Sequence, residues 1–143
     1  MHNKGFTLIE LLMTISIMSV VMGLALIILD KDMFYLEKAA DEFVADVRYV
    51  QMECMKSETG SHSIRIEADN GCYYVYDINA VKKTVVFDSR YRIDYSNPEG
   101  TTISFTYEGT PINSGTFTIT DTKTRETIRV SIVPGTGRTL IKE

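Results

Sequence analysis

Tryptophan is absent from the 143 residues, proline occurs three times, and cysteine and histidine twice each. No proline precedes Pro98, and no glycine lies between Gly23 and Gly60. A helix can therefore run a long way through the first third of the chain. The histidines, His2 and His62, stand alone, and no CxxC or HxxxH spacing occurs, so the sequence offers no metal site. Nucleophile elbow, P-loop and GxGxxG are all missing. The chain is expected to be no enzyme and to need no cofactor. Neither sign of charge dominates: 15 Lys+Arg stand against 19 Asp+Glu, a net −4, so bulk charge names no partner. Repeats, low-complexity tracts and Ser/Gly linkers are also lacking.

What is present is one long apolar run. Phe6 to Leu29 holds 24 residues with one carboxylate, Glu10. As a helix it would reach roughly 36 Å, against a hydrocarbon core of about 30 Å. A cleaved secretory signal has a shorter apolar region and a small-x-small cleavage site, whereas Asp30-Lys31-Asp32 follows Leu29 here. A soluble core helix would need cover on all sides, more than the remaining chain can supply. The run is read as a membrane-spanning helix. Lys4 and the initiator amine precede it, which places the N-terminus in the cytoplasm and the C-terminal region outside.

Glu10 lies about 6 Å into this span, within snorkelling reach of the surface. An intramembrane carboxylate is nonetheless a functional candidate whose partner should be named. The residues around it, Lys4-Gly5-Phe6-Thr7-Leu8-Ile9-Glu10, resemble the type IV prepilin processing motif. The resemblance implies that a prepilin peptidase cuts between Gly5 and Phe6 and methylates the new Phe6 amine. It also implies that Glu10 pairs with the Phe6 amine of a neighbouring subunit. Such a pair removes two desolvation penalties together and sets the register of otherwise featureless apolar helices.

Beyond the span the pattern changes. Leu36, Ala40, Phe43, Val47, Val50 and Cys54 recur at intervals of three and four, the stripe of an amphipathic helix. Asp41, Glu42, Asp46, Arg48 and Glu53 are assigned to the other faces. The helix is expected to stop near Glu58-Thr59-Gly60. Period-two segments follow: HSIRIEA, CYYVYDI, TVVFD, YRIDYS, TTISFTY, GTFTIT, TIRVSIV and a short GRTLI, with Asn70-Gly71 as a hairpin turn. The expected fold is α+β: one long N-terminal helix, apolar then amphipathic, packed on an antiparallel β domain. The expected divisions are a leader at 1–5, a span at 6–29 and an extracytoplasmic domain at 30–143, with the amphipathic helix at 30–58 and the β region at 61–143. A pilin-like fold is also what the motif's resemblance implies.

The C-terminal third carries a second resemblance. Gly109, Pro111, Gly115, Ile128, Val130, Gly135, Gly137 and Arg138 match the ends of GspH/FimT-type and ComGD-type minor pseudopilins. Many major pilins place a proline about 22 residues into the processed chain, where this one has Ile27. That departure favours a minor subunit. FimT-like relatives are linked to DNA capture by an Arg-bearing C-terminal turn, which makes Arg138, with Arg129 and Lys142, candidate DNA contacts. Lys123 and Arg125 add to these, against Asp121, Glu126 and Glu143, and a solvated strand edge explains the same charges. Cys54 and Cys72 admit a disulfide outside the membrane, or two small buried apolar side chains. Tyr73, Tyr74 and Tyr76 are read as strand packing.

The leading expectation is a minor pilin or pseudopilin of a filament serving DNA uptake or protein secretion. The resemblance implies as partners the peptidase, other pilin subunits, an assembly ATPase, a platform protein and the membrane. The alternatives are a DNA-binding module displayed on the filament and a single-span surface protein that never assembles.

Overall fold

The computed structural model describes residues 7–28, 34–57, 62–97 and 100–142. It divides into two units, Met1–Met33 and Phe34–Glu143. The first contains α1, Leu8–Ile28, and every side chain from Leu8 to Ala25 is exposed. This helix is long and apolar enough to cross a membrane. Its hydroxyls are satisfied internally: Thr14 donates to the Leu11 carbonyl, Ser16 to that of Leu12 and Ser19 to that of Ile15, each at 2.8 Å. Polar groups within a span must be paired in this way.

The second unit begins with α2, Tyr35–Lys56. All six residues of the expected stripe are buried, joined by Ala39 and Val44. The junction at 29–33, and with it the expected continuity of one long helix, lies outside the described residues, as do Gly60 and the stop assigned to Glu58-Thr59-Gly60. The helix ends earlier, at Lys56: the Ser57 amide closes the last turn on the Glu53 carbonyl at 3.0 Å, and Ser57 itself is already extended.

The strands form two antiparallel sheets. The first, in order β3-β2-β1-β5, comprises β1 (Ser63–Glu67), β2 (Cys72–Asp77), β3 (Ala80–Val86) and β5 (Thr102–Ser104). The second, in order β4-β6-β7-β8, comprises β4 (Tyr91–Ser96), β6 (Thr116–Asp121), β7 (Thr127–Ile132) and β8 (Thr139–Lys142). The chain passes from one sheet to the other between β3 and β4, β4 and β5, and β5 and β6. Strand TTISFTY is shorter than expected. After Ser104 only Phe105 makes a bridge, to Pro111, and a turn at Thr106–Gly109 reverses the chain. Both sheets turn their alternating apolar faces inward. Phe43 of α2 joins them, stacking on Phe117 of β6 at 3.9 Å and meeting Tyr73 of β2 edge-on at 5.4 Å. Such aromatic contacts add about 0.5–1.5 kcal/mol beyond area burial.

One side chain departs from its assigned face. Asp46 is buried, not solvated. It accepts the Tyr73 hydroxyl at 2.7 Å and the Lys83 ammonium at 2.7 and 2.9 Å. Lys83 also reaches Glu42 at 2.9 Å. A bulge explains the reach. Val75 pairs with Lys83 and Tyr76 with Val81, so Lys82 is an extra residue in β3. Two successive lysines thereby meet α2, Lys83 at Asp46 and Lys82 at the Tyr49 hydroxyl. Burial and the adjacent carboxylate hold the Tyr73 hydroxyl protonated far above the usual phenol range. Burial pushes the Lys83 ammonium down, but hydrogen bonds to Asp46 and Glu42 outweigh it and leave the group raised.

Candidate functional site

Lys4, Gly5 and Phe6 lie outside the described residues; Thr7 precedes α1 and Leu8 to Glu10 open it. Thr7 caps the helix. Its hydroxyl accepts the Glu10 amide at 3.4 Å, while the Glu10 carboxylate accepts the Thr7 hydroxyl at 3.1 Å and the Thr7 amide at 3.3 Å. This is a capping box, the reciprocal pairing that Thr-x-x-Glu spacing permits. Glu10 is thus no orphan within one subunit. Its carboxylate is held at the helix N-terminus, where the macrodipole favours negative charge. It remains exposed, able to take a cation from outside. The Thr-x-x-Glu spacing is legible in the sequence.

Two glycines of the C-terminal resemblance, Gly109 and Gly137, meet at a joint between α2 and two turns, while Gly115 packs against Tyr95 and Gly135 faces open space. Gly109 and Gly137 both have positive φ, +79° and +65°. A Cβ on Gly137 would lie 2.4 Å from Gln51 Nε2 and 2.8 Å from the Gly109 carbonyl oxygen. One on Gly109 would lie 2.9 Å from Met55 Sδ. Both positions therefore favour glycine for backbone shape, and Gly137 needs it for room as well, since its Cβ would meet backbone. Arg138 follows directly, exposed, with its carbonyl accepting the Val133 amide at 2.9 Å.

Of the other basic candidates, Arg129 and Lys142 are register partners across β7 and β8, both exposed. Directly opposed residues of an antiparallel pair share a face. Lys123 and Arg125 sit in the turn before β7, and Arg138 in the turn after it. The structure thus strings these cations along roughly 20 Å of strand instead of gathering them into one cluster. One acid of the region is neutralised. Asp121 takes a two-pronged grip from Arg90, at 3.0 and 2.6 Å, and accepts the Lys123 amide at 2.8 Å. The Arg90 hydrogen bonds, then the Lys123 and Thr124 amides, hold its carboxyl well below the usual carboxylate range.

The disulfide expectation is corrected. Cys54 and Cys72 are both buried free thiols. Cys54 donates to the His62 carbonyl at 3.3 Å, just before β1, whereas Cys72 is paired with Glu67 at the far end of that strand. Five residues of strand separate those points by roughly 17 Å, and a disulfide needs Cα atoms within about 7 Å. Cys54 packs in the apolar core, as the alternative reading held, whereas the Cys72 thiol donates to the Tyr74 hydroxyl at 3.4 Å on the other face of β2. The three tyrosines divide. Tyr73 is core, while Tyr74 and Tyr76 are half-buried on the opposite, solvent-facing side, with Arg65 5.5 Å from the Tyr76 ring centre. His62 is buried and meets Asp77 at 2.8 Å. Among the described residues no three His, Cys, Asp or Glu side chains converge to hold a metal.

Residues 1–26 match the family model for the prokaryotic N-terminal methylation motif. Comparison with curated proteins gave no match. Among solved structures, the chain is similar to the minor pseudopilin EpsH from the type 2 secretion system of Vibrio cholerae. The TM-score is 0.58 at 13% identity, over 75% of this chain and 95% of that one. At that identity the likeness speaks for the fold alone. The chain thus carries the prokaryotic N-terminal methylation motif, and its helix on antiparallel sheets is a fold similar to that of a minor pseudopilin.

Proposed function

We propose that this chain is a minor pilin or pseudopilin, a structural subunit of a type IV pilus-like filament and no enzyme. Its divisions are a leader at 1–5, a span at 6–29 and an extracytoplasmic domain at 30–143. Prepilin peptidase cuts between Gly5 and Phe6 and methylates Phe6. The subunit waits in the cytoplasmic membrane with its N-terminus inside, and an assembly ATPase and platform protein draw it into a filament with other pilin subunits. DNA uptake and protein secretion both suit such a filament, and the likeness to a secretion pseudopilin favours the second.

The observation that carries this reading is the exposed Glu10 carboxylate at the head of a helix that carries no other charge among its described residues. Thr7 satisfies it within the subunit through neutral donors. A neighbour's Phe6 amine offers what those donors lack, a full counter-charge, and the attraction between two opposite charges is strengthened by the low dielectric of an apolar helix bundle. Glu10→Gln keeps the shape and removes the charge. It should leave processing intact and lower the chain's abundance in sheared filaments at least about tenfold, a loss of one 1.4 kcal/mol step. Unchanged abundance would overturn the assembly role of Glu10. A chain that stays in the membrane whatever residue stands at 10 would be the permanent anchor.

A second reading is favoured by the facing pair Arg129 and Lys142 and by Arg138 beyond it: contact with the phosphates of duplex DNA displayed beside the filament. Phosphate contacts give affinity that falls steeply with salt. Arg138→Ala should weaken binding and flatten that salt dependence by about one phosphate's worth without changing the fold. No binding at low salt would remove this reading and leave the first intact.

A further inference from the structure

We infer that Gln51, on the last turns of α2, is a positioning residue for the turn that carries Arg138. Its side-chain amide nitrogen donates to two carbonyls at once, that of Gly109 at 2.7 Å and that of Thr136 at 3.4 Å. The two acceptors lie 58 and 85 residues away along the chain, in separate turns that no strand ladder joins to each other. The turns touch beside the same amide: a Cβ on Gly137 would collide with both Gln51 Nε2 and the Gly109 carbonyl oxygen. Thr110 adds a long hydroxyl contact to the Gly135 carbonyl at 3.5 Å. Each turn is closed locally by its own backbone bond, Gly109 amide to Thr106 and Gly137 amide to Val133. Gln51 supplies what those local bonds cannot, a tie to the helix. Thr136 and Arg138 are two residues apart, and the Val133 amide already ties the Arg138 carbonyl to β7, so Gln51 adds the tie that sets this turn relative to α2.

The chemistry is selective. Two carbonyl oxygens facing one side chain call for a donor with two hydrogens, which the primary amide provides. A carboxylate there would face two acceptors, and a leucine would fill the space without satisfying either.

The functional consequence rests on the second reading above, in which Arg138 meets a phosphate, and the experiment separates the two. Amide exchange is followed on the full chain in detergent micelles. Gln51→Leu should speed exchange of the Gly137 and Gly109 amides together by about tenfold, because both lose the same tie. Gln51→Lys keeps donors at the end of an unbranched stem and should hold protection within about threefold of the parent. Far-ultraviolet circular dichroism reports whether either variant is folded, and exchange in β2 serves as the internal control. Binding of a short random-sequence duplex is then measured at low salt. Gln51→Leu should weaken it, and should have no further effect once Arg138 is alanine, since the amide acts through that residue. Unchanged exchange at both glycines in Gln51→Leu, or loss of protection in Gln51→Lys equal to that in Gln51→Leu, would overturn the inference. Accelerated exchange with duplex binding indifferent to Arg138→Ala would sink the DNA reading and leave the positioning role standing.

Discussion

The two helices are nearly the same length, 21 residues in α1 and 22 in α2, and their fates are opposite. α2 has one apolar stripe, and the sheets behind it bury that stripe completely. α1 is apolar on all sides, and its side chains from Leu8 to Ala25 are all exposed. A stripe is a demand the same chain can meet. An apolar cylinder is a demand only another medium can meet, either lipid or the sides of similar helices. The domain therefore owes its stability to itself, and α1 owes its to its surroundings.

The sharpest way to break the comparison is to empty the domain's centre. Phe43→Ala removes the ring that joins the two sheets and should cost about 3–5 kcal/mol in denaturant unfolding of the domain. An equal truncation in α1 such as Leu12→Ala should cost the domain nothing measurable. Next in size is Val20→Lys, which places a cation in mid-span. It should cost about 2.5–3.5 kcal/mol of membrane insertion, read as chain extracted from membranes by carbonate, with domain unfolding unchanged. If the domain unfolds with it, the two units are not independent. Asp46→Ala leaves Tyr73 and Lys83 without their acceptor. Because Lys83 is partly exposed and keeps Glu42, the cost should be about 1–3 kcal/mol.

Asp121 gives the comparison a pH axis. Its folded carboxyl titrates below the ordinary value of 3.8. The stabilisation from Arg90 is therefore complete above that value and is lost as pH falls through the lower folded one. The gap in melting temperature between the parent and Asp121→Asn should be flat from pH 7 to 5 and should close below about pH 4. A gap that closes near neutrality would contradict the assignment. The smallest effect belongs to α1: Thr7→Ala removes a cap and should cost about 1 kcal/mol of helix stability, seen as fraying of the first turn by exchange.

How much of this was legible depends on how local the signal is. The α2 stripe, the order of the strands, the Asn70-Gly71 hairpin and the short final strand follow from periodicity and turn chemistry within a few residues. The Thr7–Glu10 box was equally local. What escaped was set by pairing at a distance. Asp46 sits between stripe positions, and only the Lys82 bulge, invisible in a period-two pattern, brings Lys83 to it. The division into two sheets depends on which strand finds which partner. For Cys54 and Cys72 the sequence left a bridge and two buried thiols both open, and the direction of β1, which carries them apart, decides it. Gln51 is one polar residue in a helix, and nothing near it in sequence announces two carbonyls that arrive from more than fifty residues downstream.

On the proposed reading, α1 leaves lipid for the company of other helices, and its N-terminus is remade for the purpose. Intact-mass and peptide mass spectrometry of the chain, recovered from cells with an active prepilin peptidase, tests it most directly. The account predicts a chain beginning at N-methylated Phe6; a chain retaining Met1 through Gly5 would contradict it.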